Sequence, residues 1–216
     1  CSRNFLDGAY RCKSPQRIVD ELQHNIGTYS VRDYVFVDSL INGRIPQLMG
    51  WTSSVIAQKL DIRWQANAIL SPRNSAEVLQ TLHRSGCIRL WYGLESGAAA
   101  VLKDMRKFAD IPRIEQNLRN THDAGILVTC YLFVGSPTET DTDFQATLDF
   151  LERNRNAIDS VLPSICYVGG ETILEKNKDA YGIAGEKGNG QNRNSTPERR
   201  EWRYQKLVSV AEELGI

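Results

Sequence analysis

Apolar positions along the chain switch repeatedly between a helical period and a strand period, and that switching predicts the architecture. Ser14-Pro15 followed by Ile18, Val19 and Leu22 at helical spacing predicts a first helix reaching about Tyr29. Tyr34-Val35-Phe36-Val37 predicts a compact strand that ends on Asp38 and Ser39. Leu48, Trp51, Val55, Ile56 and Leu60 return to a helical period. Residues 62–70 form the next strand, with Trp64, Ala66, Ala68 and Leu70 on one alternating set and Asn67 near the far end. A helix from about Asn74 to Gly86 leads into the apolar run 88–92, which breaks into Gly93-Leu94-Glu95-Ser96-Gly97.

The second half repeats the pattern. Residues 98–106 and 111–124 read as two helical pieces parted at Asp110-Ile111-Pro112. The most apolar strand, 126–134, stops at Gly135-Ser136-Pro137-Thr138-Glu139-Thr140, and a helix of about 141–154 follows. Residues 158–168 are a weaker strand interrupted by Pro163. Residues 182–200, rich in Gly, Asn, Lys and Arg, read as an exposed loop before a terminal helix of about 197–214. The expected division is a barrel-like unit over 1–170 and a loop plus helix over 171–216.

Five strands alternating with helices make a parallel α/β sheet with right-handed crossovers, either open and doubly wound or closed toward a barrel. The strands end in different polar tips (Asp38, Asn67, Glu95, Glu139), as when several loops share one pocket, and this favours a barrel. No Gly-x-Gly-x-x-Gly or Gly-x-x-x-x-Gly-Lys-Ser/Thr pattern follows any strand, which disfavours dehydrogenase-type or ATPase-type nucleotide binding. Glu95 reads equally as a pocket residue and as a cap for the next helix. Glu139 reads first as a helix cap and second as a ligand, and Asp38 as a turn former or a ligand.

Charge and cysteine content narrow the function. The 26 basic and 26 acidic residues cancel, so nothing suggests attraction to nucleic acid or an anionic membrane, and a small polar or zwitterionic substrate stays open. The longest apolar stretch is too short to span a bilayer and no signal peptide is visible, so a cytoplasmic location is expected. Five scattered cysteines argue against a disulfide framework, and at least three read as buried thiols. His24, His83 and His122 lie on expected helices without metal-ligand spacing. Trp51, Trp64 and Trp91 read as core, and the basic run 193–203 as a solvated helix start.

Several stretches, in order, resemble the radical SAM superfamily, and within it the branch often joined to cobalamin-binding domains. They are Arg11-Cys12-Lys13-Ser14-Pro15 leading into Ile18-Val19-Asp20-Glu21; Val37-Asp38-Ser39; Gly93-Leu94-Glu95-Ser96-Gly97 with Val101-Leu102-Lys103-Asp104-Met105; and Phe133-Val134-Gly135-Ser136-Pro137-Thr138-Glu139-Thr140. The resemblance covers about residues 1–155. It implies a partial (β/α)6, TIM-like barrel with parallel strands, truncated at the N-terminus. It also implies a four-iron four-sulfur (4Fe-4S) cluster held by a Cys-x-x-x-Cys-x-x-Cys loop, with S-adenosylmethionine on the open iron. Cys1 stands where the third of those cysteines would be, and the first strand and the other two ligands are expected to be missing from the sequence given. Carried onto this sequence, the resemblance places Asp38, Ser39, Asn67, Glu95, Ser96, Val134, Gly135 and Pro137 beside the cofactor or substrate. It tilts Glu95 and Ser96 toward the cofactor.

The expected activity is reductive cleavage of S-adenosylmethionine to a 5′-deoxyadenosyl radical acting on an unidentified substrate. Methyl transfer follows if an N-terminal cobalamin-binding domain supplies cobalamin, and a flavodoxin or ferredoxin would donate the electron. Two other readings stand beside it: a cluster-free barrel lyase or isomerase using Glu95 and Glu139 as acid and base, and a noncatalytic barrel that binds a ligand or partner.

Overall fold

The structure is a computed structural model that describes residues 10–168, 172–185 and 190–216. In chain order its elements are α1 (Pro15–Tyr29), β1 (Asp33–Phe36), α2 (Ile45–Ala57), β2 (Arg63–Ala68), α3 (Ala76–Arg84), β3 (Cys87–Glu95) and α4 (Ala99–Asp104). Then come α5 (Ile111–Asp123), β4 (Leu127–Val134), α6 (Asp141–Asn154), β5 (Ser160–Ile165), α7 (Ile173–Lys176) and α8 (Pro197–Leu214). Local chemistry sets the helix starts. The Ser14, Asp110 and Thr196 side chains each accept an N–H of the first turn, and each of those three helices carries proline in that turn.

All four strand pairings are parallel, in the order β1-β2-β3-β4-β5. Consecutive neighbours joined by right-handed crossovers put α1 to α6 on one side of the sheet with α8 beside them, while Leu174 of α7 packs with Phe133 in a separate small cluster. The side that α1 to α6 cover is the core: Trp64, Ala66, Ala68, Leu90, Tyr92, Leu94, Val128, Cys130, Leu132 and Val134 are buried there against Trp51, Leu79, Leu118, Phe150 and Leu207. Val35, Gln65, Trp91, Tyr131 and Leu162 alternate with them and face the other side, where they are half-buried or exposed. The sheet therefore has one covered face and one open face, as expected of part of a barrel.

Two expectations are refined. The weak strand is present, with Pro163 inside it, because β5 pairs only with β4 among the described strands and a proline N needs no partner on an edge. The basic run 193–203 is not simply a solvated helix start: Arg200 and Arg203 are 6% and 0% exposed. Residues 186–189, within the expected exposed loop, lie outside the described residues.

A trio of buried asparagines holds the carboxyl end of β2. Asn42 Nδ2 donates to Ile69 O (2.8 Å) and Asn74 Oδ1 (2.9 Å), Asn74 Nδ2 donates to Asn117 Oδ1 (3.0 Å), and Asn117 Nδ2 returns to Asn74 O (3.0 Å). Removing the middle member strands buried donors and acceptors on both sides. Asn74→Ala is expected to cost about 2 kcal/mol, read as a lower urea midpoint with an unchanged slope.

Candidate functional site

The predicted site residues fall at the carboxyl ends of β1 to β4, in three groups. Asp38 and Ser39 lie in the exposed bend after β1, and Asn67 is near the end of β2. Asn67 Nδ2 donates to Asp38 O (3.3 Å), and Ile41 N–H donates to Asn67 O (2.9 Å), so Asp38, Ile41 and Asn67 form one hydrogen-bonded patch. Asp38 and Ser39 also line a cavity of about 720 Å³ with Tyr10, Val35, Trp51 and Ile69, along the outer edge of β1. Burial in that cavity raises the Tyr10 hydroxyl pKa, and its O–H donates to Leu40 O.

Glu95 ends β3 in an unusual way. The pairing with β4 slips between Gly93 and Glu95, and Glu95 takes a left-handed φ of 67°, which a residue with a side chain adopts only at some cost. Such a bulge re-aims the side chain at the strand end. The Glu95 carboxylate pairs with the Lys107 ammonium, which also donates to Gly93 O at 3.3 Å. It does not cap α4: Ala98 stands at the N-cap position and no side chain caps the helix, which corrects the capping reading. Ser96 points the other way. Its fully buried hydroxyl meets Thr147 Oγ1 (3.0 Å) and accepts Ala98 N–H (3.1 Å).

The turn after β4 is built from the opposite end of the chain. Gly135 has φ 80°, and a Cβ there would meet Arg200 Cγ at 2.5 Å, so this glycine leaves room for Arg200. Val134 lies in the core and Pro137 is buried, with Asn192 donating to its carbonyl at 3.0 Å. Contributions of Val134, Pro137 and Ser96 to a ligand would therefore run through the backbone that they hold in place. Glu139 is neither cap nor surface ligand. Thr140 caps α6 in a capping box with Asp143, while Glu139, 1% exposed, accepts Gly135 N–H (2.7 Å) and pairs with Arg203 Nη1 (2.8 Å). Arg203 Nη2 also reaches Asp141 at 2.8 Å, its Nη1 donates to Glu139 O and Asn194 O at 3.2 Å each, and its buried Nε has no partner among the described residues. Burial pushes the Glu139 carboxyl upward against the Gly135 N–H and Arg203, which pull it down, and Arg203 and Arg199 hold Asp141 low.

The four described cysteines are not ligands to a common metal. Cys87, Cys130 and Cys166 are buried thiols whose pKa burial pushes up, to about 12 for the last two, and Cys12 is exposed. Among the described residues no group of three or more His, Cys, Asp or Glu could hold a metal ion, so any cluster ligand of this chain lies outside them. Cys1, the expected cluster ligand, lies outside the described residues. The carboxylates, hydroxyls and amides at the strand ends do suit the ribose hydroxyls and ammonium of a cofactor.

The family model described as the radical SAM superfamily matches residues 1–151. The chain belongs to the radical SAM superfamily. It is 30% identical over 151 residues to bacteriochlorophyllide d C-12(1)-methyltransferase of Chlorobaculum tepidum, an alignment covering 68% of this chain and 32% of that protein. The chain thus spans about a third of the length of that relative. Its fold is similar to that of the radical S-adenosylmethionine methyltransferase TsrM from Kitasatospora setae, solved with cobalamin and a [4Fe-4S] cluster bound (TM-score 0.62, 17% identity, 71% of this chain and 31% of that one). It is also similar to the cobalamin-dependent S-adenosylmethionine radical enzyme OxsB, solved with aqua-cobalamin (TM-score 0.60, 16% identity, 95% of this chain and 32% of that one).

The match ends before the helix that packs behind the turn after β4. Arg200 and Arg203 on α8 lie beyond residue 151 yet pack against Gly135 and Glu139 inside it. Sequence reasoning missed both, along with Lys107, because Gly135, Glu139 and Glu95, the site residues they meet, lie 12 or more residues away with no periodic signal joining them.

Proposed function

We propose that this chain is the S-adenosylmethionine-binding part of a radical SAM enzyme that transfers a methyl group to a small molecule. The observation that carries the reading is Glu95, a partly exposed carboxylate held in a strained conformation at a bulged strand end. When bound, a 4Fe-4S cluster supplies the electron that cleaves S-adenosylmethionine to a 5′-deoxyadenosyl radical. Glu95 would accept the cofactor's ammonium or ribose hydroxyl in exchange for Lys107, with Asp38, Ser39 and Asn67 alongside. Gly135 and Pro137, with Val134 and Ser96 behind them, would set the backbone against which the adenine rests.

The C. tepidum relative is named a methyltransferase, and the fold neighbours TsrM and OxsB carry cobalamin, which supports methyl transfer with an N-terminal cobalamin-binding domain. Balanced charge supports a small-molecule substrate over nucleic acid. No helix of the described residues is long and apolar enough to cross a membrane, and the reading adds a cytoplasmic setting with flavodoxin or ferredoxin as electron donor. Cys1 is the proposed cluster ligand in this chain.

Anaerobic iron-sulfide reconstitution of the full-length protein tests this. Visible cluster absorption bleached by dithionite, with reductant-dependent release of 5′-deoxyadenosine, is expected. Glu95→Gln is expected to leave the cluster spectrum intact and weaken S-adenosylmethionine binding about tenfold. Absence of both cluster and cleavage overturns the activity, and unchanged binding in Glu95→Gln overturns the role of Glu95.

A further inference from the structure

Of the charged residues that the five described strands carry on the open face, Asp33, Arg63 and Glu95 are each in an ion pair and Arg89 is not. Arg63 Nε and Nη2 clasp Asp33 at 2.7 and 2.9 Å, and Lys107 pairs with Glu95. Arg89, on β3, pairs with no carboxylate among the described residues. Its Nη1 donates instead to Thr129 Oγ1 (2.5 Å) and Ser160 Oγ (3.3 Å), two neutral hydroxyls on β4 and β5 that bond each other at 2.8 Å. Thr129 is only 2% exposed, so the guanidinium lies across β4 on a buried polar floor. Nη1 is thereby engaged, while Nε and Nη2 have no partner among the described residues. Those two nitrogens form the planar fork that binds a carboxylate through two hydrogen bonds.

The surroundings are apolar. Leu127 is the register partner of Arg89, Trp91 is that of Thr129, and Tyr131 pairs with Leu162 one step further along; Leu127, Tyr131 and Leu162 are 41%, 37% and 46% exposed. A single uncompensated positive charge beside exposed aromatic and aliphatic surface matches a ligand with one carboxylate and an apolar body. We propose that Arg89, seated on Thr129 and Ser160, anchors the carboxylate of an elongated apolar substrate lying along the open face. This rests on the reading of the strand ends as the S-adenosylmethionine site. Arg89 precedes Glu95 by six positions on β3, roughly 20 Å at about 3.3 Å per residue, so a substrate spanning both points is a long or multi-ring acid.

Fluorescence titration of the chain with 1-pyrenebutyric acid and its neutral counterpart 1-pyrenebutanol tests the anchor. The acid is expected to bind about tenfold more tightly than the alcohol. Arg89→Gln should abolish that preference while leaving the alcohol's affinity unchanged, and Arg63→Gln on the same face should keep it. If Arg89→Gln does not fold, Arg89→Lys, which keeps the charge but loses the fork, should lose most of the preference. Equal affinities for acid and alcohol overturn the proposal, as does a preference that survives at position 89. So does failure of the acid to bind, the result expected if another part of the protein already fills the fork. The titration needs neither cluster nor cofactor, so its outcome is independent of the cleavage test above.

Discussion

Arg203→Met is expected to destabilise the chain by about 3–5 kcal/mol, because it strands a charge in the core. Arg203 and Glu139 are 0% and 1% exposed and lie 2.8 Å apart, and the same guanidinium crosses to Asp141 and stacks 5.6 Å from the Phe144 ring centre. Without it, the Glu139 carboxylate keeps only the Gly135 N–H against the cost of burial. The pH dependence gives a signature of this cause. Burial already places the folded-state pKa of Glu139 above its unfolded value, and removing Arg203 raises it further. The folded variant then holds a proton that the unfolded chain releases, so its stability is retained at low pH and lost as pH rises above the ordinary glutamate range of about 4.3. Urea unfolding near pH 5 and pH 8 should find the deficit of Arg203→Met larger at the higher pH. Glu139→Gln in the same chain should recover part of the loss, since a neutral amide is cheaper to bury. Equal deficits at both pH values, or no recovery, would show that lost packing of α8 and not the stranded charge is the cause.

That pair also marks the boundary of what was legible in the sequence. Elements whose cause is local were readable: proline in the first helical turn at Pro15, Pro112 and Pro197, and the alternation of Trp64, Ala66 and Ala68 that became the covered face of β2. The strand tips at Asp38, Asn67 and Glu95 were readable for the same reason, since a polar residue ending an apolar run is a local event. Arg203 was not. Charge in a polar-rich segment looks like solvent-facing charge, and its partner sits 64 positions earlier behind a turn that reads as a helix start. Lys107 and the asparagine trio escaped likewise, because a hydrogen bond between loops leaves no period in either. Ser96 shows the converse: its place in a recognisable motif suggested a ligand, whereas its hydroxyl is engaged with Thr147 and the start of α4.

Gly97→Ala is the second large loss, expected at about 3 kcal/mol, and it acts on the motif carrying Glu95. A Cβ at position 97 would lie 2.5 Å from Phe150 Cβ, 2.9 Å from Thr147 Cα and 3.0 Å from Ala146 O. Two of these three atoms are helix backbone, so no rotamer change relieves the clash and α6 or the loop must move. The Gly97 N–H and the Ser96 hydroxyl are both bonded to Thr147 Oγ1, at 3.1 and 3.0 Å, so separating the loop from the helix breaks those contacts together. Gly27 is the matched comparison. It lies exposed in α1 with nothing within 4 Å of a built Cβ, and Gly27→Ala should stabilise by up to about 1 kcal/mol through helix propensity. Thermal unfolding of the two variants should therefore move in opposite directions. Because Glu95 is two residues from Gly97 and already strained, displacement of the loop should also loosen its pairing with Lys107. The expected consequence is a weakened S-adenosylmethionine affinity in the folded fraction of Gly97→Ala, with Gly27→Ala unchanged. An affinity equal to that of the parent chain would mean that the strained turn at Glu95 is held by β3 and β4 alone, without help from α6.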